Sequence, residues 1–203
     1  MAMAELLTID HTFSREDVRN ILSLGKGVDI DTFDTGLKTF DDLYEELQEQ
    51  EVKLYLNRGT HQIVRFALNV KLLIRTPHEC FYETKRVYCP GNPAKRTEIK
   101  ARQKWSISET RKRTETPLDA VKRGFREELG RWELIDTAFF NQLSWFEDLA
   151  PDRPSRVYRG LISRAVTTYF TLDLNDKIFS HGRIVKDHDT HIYIRWFPRE
   201  AYD

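Results

Sequence analysis

Two cysteines in 203 residues, Cys80 and Cys89, are too few for a disulfide scaffold, and their spacing does not suit a four-ligand zinc site. A bridge between them across a hairpin is geometrically open. With no secretory pattern at the N-terminus, two reduced and buried thiols are the expectation, and the expected location is cytoplasmic. No apolar run approaches the ~18 residues of a membrane span, so membrane insertion is not expected. Neither sign of charge is in excess, with 32 basic and 32 acidic residues, and no overall field draws the chain to nucleic acid or to a membrane surface. No serine stands in a glycine-flanked elbow and neither cysteine has an activating neighbourhood, which removes acyl-transfer chemistry. Internal repeats and low-complexity segments are also missing, and with them solenoid and linker architectures.

What is present is a globular composition, 40% hydrophobic and 12% aromatic, enough to fill one domain with an extension. Residues 1–57 read as the extension, a helical N-terminal segment. Ser14 caps a short helix that points Val18, Ile21 and Leu22 inward and stops at Gly25 and Gly27. Thr39 starts a second helix with the stripe Phe40, Leu43, Tyr44 and Leu47. That stripe needs a cover, either the rest of the chain or a second copy in a homodimer. From Glu51 the period falls toward two, and EVKLYLN, HQIVRFALNVKLLIRT and ECFYETKRVYC read as strands, with a further strand over Glu98 to Ile107. Beyond residue 130, a strand and turn are expected in WELIDTAFFNQLSWF, then strands in SRVYRGLISR, AVTTYFTLDL and HIYIRWFPRE. The whole is an α/β protein, with residues 58–203 as its main domain.

The stretch with most chemistry runs from Trp105 to Gly130. Thr116 suits an N-cap, Pro117 the first helical position and Asp119 a capping box. Leu118, Val121, Phe125 and Leu129 make one apolar face, and Gly130 is placed to end the helix in a left-handed turn. Lys122, Arg123, Arg126, Glu127 and Glu128 lie on the other side. A polar loop with the basic run Arg111, Lys112 and Arg113 precedes the helix.

These residues resemble the Nudix family. Glu115, Arg123, Phe125, Glu127, Glu128 and Gly130 reproduce most of its signature at the right spacing, and Trp105-Ser106-Ile107 is similar to the segment that leads into it. The resemblance covers about residues 62–200 and implies a Nudix-like α/β/α sandwich with a mixed sheet. It also implies a magnesium ion at Glu127 and Glu128, with Arg123 orienting Glu127 and Glu115 ordering the motif as a fourth catalytic residue. Two departures stand out. The glycine turn is replaced by polar residues around Ser108, Glu109 and Thr110, and the Glu after the arginine is Gly124. Positions 124, 127 and 128 are helix neighbours, so one of three convergent carboxylates is gone. Glycine inside a helix costs about 1 kcal/mol relative to alanine, and a glutamate there is expected to stabilise the helix and to strengthen metal binding.

Arg111, Lys112 and Arg113 are the candidate substrate-binding residues, suited to a pyrophosphate or to an RNA backbone. Asp187, Asp189 and His191 sit at alternate positions that could face one side of a strand. Glu147, Asp148 and Asp187 are equal candidates for a carboxylate from a later loop. Two readings follow. One is a Nudix-like module that binds a nucleotide or other phosphorylated small molecule with little or no hydrolysis, which the two departures favour. The other is a magnesium-dependent pyrophosphohydrolase of a nucleoside diphosphate derivative, with an RNA-binding or protein-interaction module as a further alternative.

Overall fold

A computed structural model describes residues 6–33, 38–88, 97–99, 105–130, 143–177, 183–187 and 190–199. The protein is a mixed α/β chain; among the described residues strands predominate, with three short α-helices, one 3-10 turn at Ile30–Thr32 and one π-helical turn. By their contacts its residues form two compact units, the first of 1–68, 110–115 and 149–167, the second of 69–109, 116–148 and 168–203.

In the first unit, strand β1 (Leu6–Ile9) pairs antiparallel with β2 (Val52–Asn57), and β2 pairs with the first half of β3 (Gln62–Arg75). Helix α1 (Arg15–Ser23) begins at Ser14 and α2 (Phe40–Gln48) at Thr39, each through a reciprocal capping box with the aspartate three residues on. Their apolar stripes meet the inward face of β1–β3: Val18, Leu22, Phe40, Leu43 and Leu47 are buried with Ile9, Leu54, Ile63 and Tyr158. Both helices therefore appear where the capping and spacing place them, and the α2 stripe is covered within this unit. Residues 1–57 are not purely helical, however, because β1 and β2 belong to them. Residues 155–161, read from sequence as strand, are a run of bends whose Tyr158 and Leu161 plug the same core before β9 (Ile162–Asp173) begins. The Tyr158 hydroxyl donates to Glu46 Oε1 at 3.0 Å, and Arg65 donates twice to Glu46 Oε2 at 2.9 and 2.7 Å. Burial holds the Tyr158 phenol well above its ordinary pKa, so it stays a donor.

The second unit takes the end of β3, β4 (Glu79–Tyr88), β5 (Thr97–Ile99), β6 (Ile107–Thr110), β10 (Arg183–Asp187) and β11 (Thr190–Pro198). β4 lies between β3 and β11, with β10 beyond β11, and the registers are antiparallel. The turn between β3 and β4 is closed at Thr76, whose N–H donates to the Glu79 carbonyl at 2.8 Å. Helix α3 (Pro117–Gly124) covers this sheet, and Val121, Phe125 and Leu129 are fully buried among Val70, Leu72, Ile107 and Ile194, with Leu118 partly buried beside them. Cys80 is a buried thiol on β4. Cys89 and the segment 131–142, expected to hold a strand and turn, lie outside the described residues.

Candidate functional site

Helix α3 starts at Thr116 with a capping box to Asp119 and Pro117 in the first turn, and the chain leaves it at Gly130 with φ 63°, as the sequence leads one to expect. Between these ends it is not uniform. Phe125–Leu129 is a π-helical turn, a widening seen mostly as single turns and often at functional sites. Glu127 remains 56% exposed at its side chain, whereas Glu128 is only 6% exposed as a residue. Glu128 is thus no member of a solvated face.

The second surprise is β6. Ser108, Glu109 and Thr110, expected as a polar loop, continue the strand from Ile107. Ile107 and Glu109 are two apart and share a strand face. That face meets α3 at Gly124: a β-carbon built there would lie 2.5 Å from Glu109 Cγ and 2.9 Å from Ile107 Cγ2. The glycine is explained by this contact, and the expectation that glutamate at 124 would stabilise the helix is overturned. Arg123 Nη1 donates to Glu109 Oε2 and to Glu127 Oε2, each at 3.2 Å. Glu109 also lies in hydrogen-bonding reach of Glu128. One guanidinium therefore holds two carboxyls, Glu127 and Glu109, and Glu109 in turn meets Glu128, so the link between them comes from a position that the sequence shows only as a departure.

Burial raises the pKa of Glu109, against the lowering effects of Glu128 and Arg123 and with a further raise from Glu127. A raised acid binds its proton more tightly in the folded state. Its contribution to stability is complete below the ordinary value of 4.5 and is lost as pH rises through the raised one. Denaturation midpoints compared from about pH 4 to about pH 8 should show the natural protein losing ground to Glu109→Gln as pH rises. A difference independent of pH would mean that Glu109 is not desolvated.

The oxygen-only donor set matches a hard cation such as magnesium in type. In arrangement it does not: Arg123 holds Glu127 and Glu109, Glu109 faces Glu128, and no three His, Cys, Asp or Glu among the described residues are grouped to hold a metal ion. Of the later carboxylates, Glu147 on β7 (Ser144–Leu149) accepts from Thr168 Oγ1 at 3.0 Å, and Asp148 is exposed. Asp187 ends β10, His191 pairs in register with Lys186, and Asp189 lies outside the described residues.

The basic run belongs to the first unit. Glu115 Oε2 accepts from the Lys112 N–H at 3.0 Å while its own N–H donates to the Lys112 carbonyl, closing a turn. Lys112 Nζ donates to Glu49 Oε2 at 2.5 Å. Arg111 N–H joins the Leu68 carbonyl at 2.6 Å, and Arg113 N–H the Gln50 carbonyl at 3.2 Å, which lays the run along β3 and the end of α2. Arg113 stands 6.0 Å over the Phe66 ring. The Arg111 Nε is buried and has no hydrogen-bond acceptor among the described residues.

No protein-family model matches the chain, and no curated protein does. Among solved structures it is similar to that of the E. coli dihydroneopterin triphosphate pyrophosphohydrolase, at 15% identity and a TM-score of 0.38, over 66% of this chain and 82% of that one. At that identity and TM-score the likeness decides neither fold family nor activity. Among the described residues, no helix is long and apolar enough to cross a membrane.

Proposed function

We propose that the protein is a Nudix-like module that binds a phosphorylated small molecule, a nucleotide foremost, through Arg111 and Arg113, with little or no hydrolysis. The observation that carries this reading is the buried Arg111 Nε without an acceptor. A buried donor left unsatisfied costs about 1–3 kcal/mol, and such groups call for a bound water or ion. Arg113 likewise has no carboxylate partner among the described residues, so two arginines two residues apart, in a chain with no net charge, are open to an anion. Planar, forked donors suit phosphate oxygens.

Replacing Arg111 and Arg113 together by Gln should weaken the binding of nucleoside di- and triphosphates at least tenfold and flatten its salt dependence, with the denaturation midpoint little changed. Affinity unchanged in the double variant would return the run to a solvated surface.

One observation favours a second reading, a magnesium-dependent pyrophosphohydrolase. Glu109, standing where the Nudix signature has its glycine turn, fills the space over Gly124, where the signature has a helix glutamate. Glycine and glutamate have in effect exchanged places, and a carboxyl is kept beside Glu127 and Glu128. Cleavage of a nucleoside diphosphate derivative by water into two phosphomonoesters, requiring a divalent cation and abolished by Glu128→Gln, would move the conclusion to this reading.

A further inference from the structure

The outward face of β2 and β3, opposite the buried core, is neither plain nor covered among the described residues. Side chains alternate along a strand, so Lys53, Tyr55 and Asn57 of β2 share that face with Gln62, Val64 and Phe66 of β3. The register sets them in three rungs: Asn57 opposite Gln62, Tyr55 opposite Val64, and Lys53 opposite Phe66. A hollow of about 400 Å³, inside the size range of small-molecule sites, is lined by the first two rungs and by Phe66 of the third, with Lys53 and Arg113 next to Phe66 outside its lining. Leu6 of β1, 59% exposed, closes one flank. The ion pair of Arg164 with Asp152, two hydrogen bonds of 2.7 and 2.6 Å, closes another and leaves Arg164 compensated.

The rungs differ in chemistry from end to end. At the hairpin end are two carboxamides, which carry both donors and acceptors. Asn57 Oδ1 is already used by the Gly59 and Thr60 N–H groups, so its amide NH₂ and the Gln62 side chain are what face a ligand. In the middle are the Tyr55 ring and Val64, with Tyr55 and Phe66 in an edge contact at 6.2 Å. At the far end are Lys53 and Arg113, the latter over Phe66. Asp10 offsets part of the Lys53 charge. The four residue steps of strand from Lys53 to Asn57 span about 13 Å, comparable to a nucleoside phosphate laid flat.

We propose that this face is the site of a nucleoside phosphate, its heterocycle stacked on Tyr55 and Val64, its base edge read by Gln62 and Asn57, and its phosphate held by Arg113 and Lys53. Polar donors at one end, rings in the middle and cations at the other match that ligand in order and in charge. The proposal rests on the Arg113 half of the phosphate reading above and names the rest of its ligand; Arg111 does not line the hollow. It places the ligand wholly on first-unit residues, so binding requires no divalent cation.

The test is a calorimetric titration of the full chain, in chelator, with AMP, GMP, CMP and UMP beside inorganic phosphate, pyrophosphate and a single-stranded hexanucleotide. Mononucleotides should bind and inorganic phosphate more weakly. Tyr55→Ala should weaken mononucleotides about tenfold and leave pyrophosphate unchanged, Tyr55→Phe should keep the affinity, and Arg113→Gln should weaken both. Circular dichroism of each variant checks that β2 and β3 still pair. If Arg113→Gln weakens binding but Tyr55→Ala does not, the base site is wrong and the phosphate reading stands. Failure of both variants to matter overturns this site and removes Arg113 from the phosphate reading. A hexanucleotide bound far more tightly than any mononucleotide, with the same dependence on Tyr55, overturns the nucleoside phosphate in favour of single-stranded RNA.

Discussion

Truncating Phe125 to alanine is expected to lower the unfolding free energy by about 3–5 kcal/mol, the usual range for a buried aromatic. Phe125 is fully buried and begins the π-helical turn, so its ring ties that turn to Val70, Leu72 and Ile107 of the sheet below. Single domains hold about 5–15 kcal/mol in total, so the second unit would keep little in reserve. Leu118→Ala provides the contrast: Leu118 is only partly buried against the same cluster, and its removal should cost clearly less. Urea denaturation of the three proteins decides the matter. A loss below about 1 kcal/mol for Phe125→Ala would mean that the helix is not anchored through this ring.

The second large effect concerns Gly124. Gly124→Glu should destabilise by about 1–3 kcal/mol through overpacking, against a helix-propensity gain of under about 1 kcal/mol. The new β-carbon meets Glu109 Cγ, which can swing away, and the buried Ile107, which cannot. The double replacement Glu109→Gly with Gly124→Glu should recover part of the loss, because it removes one of the two colliding groups and leaves the contact with Ile107. The single and double variants form a cycle whose coupling should exceed about 0.5 kcal/mol. Additive effects would show that Glu109 and Gly124 do not share one space. The same four proteins, titrated with magnesium and manganese, test whether a carboxyl on the helix holds a cation better than one on the strand.

What the sequence disclosed was whatever is decided locally. The capping boxes at Ser14, Thr39 and Thr116, the apolar stripes of the three helices and the left-handed exit at Gly130 each depend on residues within a turn of one another. β2, β3 and β11 were legible through their long runs of β-prone residues. β1 was not, since four residues become a strand only because β2 offers them a partner. Ser108 to Thr110 looked like a loop because they are polar, yet β3 pairs with them as strand. Residues 155–161 carried strand-like composition because Tyr158 and Leu161 are core residues, though on an irregular backbone. In the candidate site, Arg123, Glu127 and Glu128 were found by spacing. The part taken by Glu109 was not, because it comes from a contact between strand and helix, and the unsatisfied Arg111 Nε has no sequence signal at all.

The contact of Glu109 with Gly124 also constrains how such a chain can change by descent. A carboxyl can move between strand and helix only through two intermediates. With glutamate at both positions the helix β-carbon crowds Glu109 and Ile107, whereas with glycine at both nothing collides and the buried acid is merely lost. The permissive route therefore runs through the double glycine, and binding of whatever the carboxyls serve would lapse before it returned. Glu109→Gly alone should be a well-folded protein, while the glutamate pair should express poorly, an asymmetry that soluble yield of the two variants would reveal.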